Sequence, residues 1–469
     1  MKKIIQHTVL FFLTAFFVSI ASAQSNAGYK LPAYEKFTLK NGLTVYLMEQ
    51  HEVPIISVSA IIPAGAIYDG EKAGMASLTA VALKHGTQSY SKAKLDEELD
   101  YVGAVINTFA SKESAGLTAK FAAKDKDLLL NLVKEVLLNP VFDAAEFEKE
   151  KKRVLVNLEQ AKESPRQVIG SYFDKFMFGD HVYGNIVTGK ISTVSSITVN
   201  DLKNFYKDNY IPEGSALAIV GDFKTNEIKT KITQLFSGWK TAGKPQQNQA
   251  SKQIPIFAGN RVLLINKDDA KETTFYIGGP GISRNNPDFI AIEVVNTLFG
   301  GRFTSMLNDE LRVNTGLTYG ANSRFNALKN GGTFVISTFT AGKTTEPAID
   351  KALEVLHKLH KEGVDEKSLT SAKNYVKGQF PPRYETAGQL AGLLTQMFWY
   401  NFDESFINTF EKNVDGLTVA RAKDIIARYF PKDKLQFVMV GKSADIKKIA
   451  EKYGPVTEVQ IKEDLKKAF

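Results

Sequence analysis

SSITVNDLKNFYKDNYIPEGSALAIVGDF, from Ser195 to Phe223, and DGLTVARAKDIIARYFPKDKLQFVMVGK, from Asp415 to Lys442, read as two copies of one unit. In each, a Thr-Val pair (Thr198-Val199, Thr418-Val419) opens a helix. Each helix runs to a tyrosine (Tyr210, Tyr429), and a proline follows within two residues. An apolar strand then ends in Val-Gly, at Val220-Gly221 and Val440-Gly441. A second pair keeps nearly the same offset of about 220 residues: NPVFDAAEFEKEKKRVLVNL from Asn139 and EGVDEKSLTSAKNYVKGQF from Glu362. Each is an apolar-Asp turn that caps a long amphipathic helix. Phe142 corresponds to Val364, and Phe147 to Leu369.

The period is far too long for a solenoid and implies a duplicated domain of roughly 210 residues. The join lies in SGWKTAGKPQQNQASKQIP (Ser237 to Pro255), which is polar and has no apolar period. The expected organisation is a first domain over 24–240, an exposed linker over 241–255 and a second domain over 256–469. GLTVYLMEQ, ISVSAIIPAG, AVINTFAS and AGLTAKFAA read as strands, in adjacent pairs as in hairpins. AKLDEELDYVG, DKDLLLNLVKEVLLN and AEFEKEKKRVLVNLEQAKE carry the 3.6-residue period of helices. The expected class is α+β: two homologous domains, each a mostly antiparallel sheet packed with helices.

The 469 residues are 43% hydrophobic and 23% charged, an ordinary globular balance. The N-terminus stands apart. A basic start, an apolar run over Val9–Ala23 and the small-residue ending Ala21-Ser22-Ala23 predict a signal peptide over 1–23. No later segment has 18 consecutive apolar residues, so no membrane span is expected after cleavage. There are no cysteines, which excludes disulfides, thiolate zinc sites and a cysteine nucleophile. Export without disulfides leans toward a bacterial periplasm. The net charge of +8 comes from lysines scattered among glutamates, as on solvated helix faces, and gives no stripe for nucleic acid.

The order of these pieces resembles the pitrilysin / mitochondrial-processing-peptidase family of inverted-motif zinc peptidases. The likeness rests on FTLKNGLTVYLMEQHEVPIISVSAIIPAGAIYDG (from Phe37), GTQSYSKAKLDEELDYVGAVINTFASKE (from Gly86), HVYGNIVTG (from His181) and the segment from Ile197 to Phe223. It extends from Leu31 to about Ala450. Active members carry G-x-x-H-x-x-E-H on a helix: two histidines bind zinc, the glutamate activates the metal-bound water, and a third ligand, a glutamate, follows roughly 75 residues later.

In GMASLTAVALKHGT, Gly74 and the Gly86-Thr87 pair fix the register of that pattern. The first histidine position holds Ser77, the glutamate position Ala80 and the second histidine position Val81. The later glutamate falls at Asn157, or at Leu158 one residue on; Glu159 points about 100° or more away from either. Ser77, Val81 and Asn157 cannot hold zinc usefully, and Ala80 cannot move a proton. A lone histidine one turn on, His85, is expected to be solvated or hydrogen-bonded. His357 and His360 are expected on a wet helix face. Ser89 and Lys92 have the S-x-x-K spacing of some serine acylases, but Ser91 between them reads as a helix cap. Gly278–Ser283 lacks the strand–GxGxxG–helix context of a nucleotide site. Phe398, Trp399 and Tyr400 read as packing residues.

The second half keeps its signature. FGGRFTSMLNDELRVNTGLTYGANSRF (from Phe299) resembles the family's G-G … L-x-x-x-L-R-x-x-x-G-L-x-Y, with Arg312 and Tyr319 at the Arg and Tyr positions. In the two-chain branch of the family, one chain brings zinc and the other brings this pair. Gly300 and Gly301 are either the turn before a helix or a loop that lets substrate backbone approach. The resemblance implies a non-catalytic subunit of a heterodimeric periplasmic zinc peptidase. It would bind peptide, donate Arg312 and Tyr319, hold no metal, and close as a clamshell on a homologous zinc-bearing partner. The alternative is an inert binding or scaffold protein of the same fold.

Overall fold

Each half builds a six-stranded sheet, and the two sheets repeat one strand order. In the computed structural model, which describes residues 28–240, 250 and 253–464, the first sheet runs β1-β2-β6-β3-β5-β4. Its strands are β1 (Glu35–Thr38), β2 (Thr44–Glu49), β3 (Ile55–Ile62), β4 (Val105–Ala110), β5 (Ala115–Ala122) and β6 (Ala216–Gly221). The second runs β12-β7-β11-β8-β10-β9, from β7 (Arg261–Asn266), β8 (Glu272–Pro280), β9 (Asn322–Leu328), β10 (Gly331–Ala341), β11 (Gln436–Gly441) and β12 (Val456–Gln460).

Both sheets are mixed. β2 pairs parallel to β6, and β7 parallel to β11; most other pairs are antiparallel. The hairpin expected from the adjacent β2 and β3 sequences does not form, because β6 returns from the end of the half and inserts between them. The β4–β5 hairpin does form. The edge position beside β2 is filled by the N-terminal β1, and its counterpart beside β7 by the C-terminal β12. The duplication is thus completed from opposite ends of the chain.

Helices of eight residues or more are α1 (Met75–Ala82), α2 (Lys92–Tyr101), α3 (Lys126–Leu138), α4 (Ala144–Ala161), α5 (Pro165–Phe178), α6 (Val199–Asn209), α7 (Thr225–Phe236), α8 (Phe289–Asn296), α9 (Thr345–Glu362), α10 (Glu366–Gln379), α11 (Ala387–Tyr400), α12 (Val419–Tyr429) and α13 (Ser443–Ala450). The repeated caps act as repeats. Thr198 accepts the N–H of Asp201 and Thr418 that of Arg421. Asp143 accepts from Ala145 and Glu146, and Asp365 from Ser368. Ser91 caps α2 through the Lys94 N–H.

The two halves exchange equivalent helices. On the first sheet, Val45, Leu47, Val58 and Leu117 face α1, α2, α3, α6 and α7 of the same half. The opposite face, with Tyr46, Met48, Ala218 and Val220, packs against Leu390, Leu394 and Met397 of α11, from the second half. On the second sheet, Leu263, Ile265, Val438 and Val440 pack against Tyr172, Phe173 and Phe176 of α5, from the first half. Central strands buried on both faces read as continuous apolar runs, as β2, β6, β7 and β11 do.

The termini cross as well. Tyr29 donates its hydroxyl to the Tyr384 carbonyl, and Leu31 N–H bonds Asn408. At the other end, the Asp464 carboxylate accepts the Ser192 N–H. The expected signal peptide lies outside the described residues, as does most of the expected linker; Ala250 within that linker is buried rather than exposed. Among the described residues no helix is long and apolar enough to cross a membrane.

Candidate functional site

Backbone geometry fixes α1, and its glycine flanks are part of that geometry. Gly74 sits at φ +97°, and a Cβ there would lie 2.9 Å from the Gly189 Cα. Gly189 in turn has φ +80° and would clash with the Ala73 carbonyl. Two glycines therefore pass back to back, one before α1 and one ending the HVYGNIVTG stretch. The Asp69 carboxylate accepts the N–H groups of Gly74 and Ala76 at 2.8 Å each, capping the helix from the preceding loop. Burial pushes the Asp69 carboxyl up to about 8, against those backbone donors. At the far end, Gly86 is at φ +107°, its carbonyl accepts the Val141 N–H, and Thr87 bridges to Pro140. These bonds stitch the end of α1 to the start of α4, and α1 packs beside α4.

Ser77, Ala80, Val81 and Asn157, the positions expected to stand in for the metal ligands and the base, divide by face. Ser77 and Val81 are half-buried, Ala80 is fully buried, and Asn157 on α4 is exposed. A hydroxyl, an isopropyl group and a carboxamide do not make a zinc donor set, and no group of three or more His, Asp or Glu side chains among the described residues is placed to hold a metal. His85 departs from expectation. It is buried, and its Nδ1 has no partner among the described residues. Burial holds its pKa below the ordinary histidine value, with Glu150 and Glu146 of α4 opposing that shift. His357 is exposed as expected, but His360 is half-buried, and burial lowers its pKa.

Arg312 and Tyr319 both stand on the surface of the second half. Tyr319 is 81% exposed, and its ring stacks on Phe339 with centroids 6.4 Å apart. Phe339 also carries Arg166 of α5, whose guanidinium carbon lies 3.4 Å from the ring centroid. Arg312 lies in a widened helical turn, Asp309–Asn314, with its guanidinium carbon 4.6 Å from the Phe303 ring centroid. Neither the Arg312 guanidinium nor the Tyr319 hydroxyl has a hydrogen-bond or ion-pair partner among the described residues.

The loop carrying Tyr319 is nonetheless held on both sides. Thr338 donates to the Gly320 carbonyl at 2.9 Å, Thr340 to that of Leu317 at 2.7 Å, and Asn308 accepts the Ala321 N–H at 2.9 Å. Sequence reading missed these positioning residues; the alternating Thr338 and Thr340 on β10 were the available signal.

Gly300 and Gly301 differ from one another. A Cβ on Gly300 would lie 2.4 Å from Ser323 Oγ and 2.6 Å from Ser323 N, so this glycine lets the Thr297–Gly301 turn pass β9. Gly301 is exposed. Trp399 is buried in the core on α11, as its packing reading implied.

Two family models match this chain. "Insulinase (Peptidase family M16)" matches residues 44–190, and "Peptidase M16 inactive domain" matches residues 196–376. The chain belongs to the insulinase-like peptidase family. Within that family it is similar to an uncharacterized zinc protease of Bacillus subtilis, 22% identical over 73% of this chain and 83% of the relative. Another of Mycobacterium leprae is 26% identical over 73% and 77%. A probable mitochondrial-processing peptidase subunit beta of Arabidopsis thaliana is 24% identical over 59% and 52%. Among solved structures, a peptidase M16 inactive domain from Pseudomonas fluorescens superposes with a TM-score of 0.81 at 25% identity, covering 87% of this chain and 98% of that one. A protease from Helicobacter pylori shares the fold, with a TM-score of 0.81 at 21% identity over 87% and 100%.

Proposed function

We propose that this chain is the zinc-free subunit of a two-chain peptidase of the processing-peptidase type. It is exported to a bacterial periplasm and closes with a homologous zinc-bearing subunit around unfolded peptide. Zinc and the water-activating glutamate belong to that partner. This chain supplies Arg312 and Tyr319. Attack on a peptide bond places negative charge on the carbonyl oxygen; a phenol donor and a guanidinium stabilise it and align the substrate backbone.

One observation carries this reading. Arg312 and Tyr319 are exposed, and their polar groups have no hydrogen-bond or ion-pair partner among the described residues, while the Tyr319 loop is held by Thr338, Thr340 and Asn308. A side chain serving its own fold would have partners; one serving another chain needs only a rigid base. The retained packing of α1 supports the same reading, since the fold keeps the helix and has lost only its donors.

The test is to purify this chain alone and with a zinc-bearing homologue from the same organism, then to assay cleavage of an unstructured peptide. Neither zinc nor cleavage is expected from the chain alone, and cleavage is expected on mixing. Unchanged mixed activity after Arg312→Ala with Tyr319→Phe would remove the donated pair and favour the scaffold alternative.

A further inference from the structure

A cavity of about 410 Å³ opens between α8, α11 and the turn at Pro381–Tyr384. None of its lining residues lies on α1 or α4, and neither Arg312 nor Tyr319 is among them. Arg284 lies in its wall, half-buried. Its guanidinium carbon is 4.0 Å from the Phe289 ring centroid, 4.9 Å from those of Phe402 and Phe406, and 5.9 Å from that of Tyr400. No side chain or carbonyl among the described residues accepts the N–H groups of its guanidinium. The neighbouring Glu293 is already bound to Arg383 at 2.7 Å. The cavity wall therefore carries two guanidinium groups and one carboxylate.

The duplication supplies an internal control. Ile61 pairs with Ala216 on β6, and Gly278 pairs with Gln436 on β11, the two strands that end in the repeated Val-Gly. Gly278 thus corresponds to Ile61 and Pro280 to Pro63. Four residues past those prolines, Ile67 and Arg284 take equivalent places: each donates its backbone N–H to the hairpin that follows, to the carbonyls of Lys112 and Leu328. Ile67 is buried in an apolar cluster with Tyr172 and Phe173 of α5, the counterpart of α11. The fold asks only for an apolar residue at this place. The second half has a cation there instead, ringed by aromatic side chains.

Aromatic faces hold a planar guanidinium by its faces and leave its edge donors free. A partly desolvated cation whose neighbouring carboxylate is bound to a second guanidinium is costly, and a bidentate carboxylate removes that cost. The walls beside it, Phe380, Phe406, Phe410 and Leu393, are apolar, and the volume suits a small molecule. We propose that this cavity binds a small organic acid, with its carboxylate on the edge of Arg284 and its aromatic or aliphatic body against those side chains.

The experiment titrates the full chain with phenylacetate and octanoate by calorimetry. Phenylacetamide serves as the uncharged twin and inorganic phosphate as the bare anion. Saturable one-to-one binding of an acid is expected. Phenylacetamide and phosphate should bind at least about tenfold more weakly. Arg284→Ile, which installs the residue of the first half, should weaken acid binding at least about tenfold while melting as a folded protein. Arg284→Lys keeps the charge without the planar fork and should fall between the two, which maintains the test if the isoleucine variant does not fold. The proposal is overturned by no saturable acid binding up to about 10 mM. It is also overturned by equal affinity for acid and amide, by phosphate binding as tightly as the acids, or by undiminished acid binding in a folded Arg284→Ile chain.

Discussion

The buried carboxylate of Glu113, on the β4–β5 hairpin of the first half, accepts the backbone N–H of Lys329, on the β9–β10 hairpin of the second, at 3.0 and 3.1 Å. The Tyr183 hydroxyl donates to the same carboxylate and accepts the Asn330 N–H. Tyr183 belongs to HVYGNIVTG, so that stretch ties the halves together through Tyr183 while Gly189 seats α1. Burial, then the charge of Glu113, holds the Tyr183 phenol well above its usual ionisation range, so it remains a neutral donor. Tyr183→Phe removes one of the two donors to the buried Glu113 carboxylate and leaves the Asn330 N–H without an acceptor, and a loss of about 1–3 kcal/mol is expected in urea unfolding. Glu113→Gln should cost less in the Tyr183→Phe background than in the wild type, and a double-mutant cycle measures that coupling. Additive losses would mean that the two side chains do not act together.

The exchange of α5 and α11 makes each half incomplete. Residues 24–240 expressed alone would expose the sheet face carrying Tyr46, Met48 and Val220, together with the apolar side of α5. Neither half is expected to show a cooperative melt by itself, and the two co-expressed halves should purify as one complex. A stable, cooperatively melting first half would contradict the exchange.

Much of the fold is legible in the sequence because the decisive signals are local. Thr198 and Thr418, Asp143 and Asp365, and the two Val-Gly strand ends are caps and terminators whose physics acts within a few residues. What is not legible is long-range. The apolar faces of α5 and α11 announce burial without saying against which sheet, and nothing around β2 shows that β6 will separate it from β3. The candidate site divides in the same way. That Ser77, Ala80, Val81 and Asn157 carry no zinc donor set is a matter of residue type and can be read directly. The burial of His85 and the hold of Thr338 and Thr340 on the Tyr319 loop depend on elements distant in the chain.

Histidine titrations should separate in opposite directions. Asp222, then Glu49, raises the pKa of the exposed His51 by hydrogen bonding. Burial lowers that of His85. Proton NMR should place the His51 midpoint above about 6.5 and that of His85 below it. The His51 contribution to stability is present below its unfolded pKa and fades as pH rises through the folded value. The His85 contribution is present above about pH 6.5 and is lost as pH falls. Asp222→Asn should move His51 back toward about 6.5 and leave His85 unmoved. A His85 midpoint above that value would refute its burial.

If α1 is a metal helix without its donors, restoring them should restore the metal. Ser77→His, Val81→His and Asn157→Glu combined place two imidazoles four residues apart and a carboxylate on the adjoining α4, a three-ligand zinc set. About one zinc per chain is expected by elemental analysis of the triple variant, and none of the three single variants should retain it. Absence of zinc from a folded triple variant would show that the register over α1 or α4 is wrong.

In the proposed complex this chain lends Arg312 and Tyr319 to chemistry carried out on another subunit's zinc. Both residues are exposed, so Arg312→Ala and Tyr319→Phe should each change stability by less than about 0.5 kcal/mol. The most direct measurement is kcat/KM for cleavage of an unstructured peptide by the zinc-bearing homologue mixed with wild-type or variant chain. A fall of about 10- to 1000-fold is expected with Arg312→Ala or Tyr319→Phe, the range for removing one preorganised transition-state donor. The wild-type chain alone should be inactive. Full activity with both variants, or zinc-dependent cleavage by this chain alone, would contradict the account.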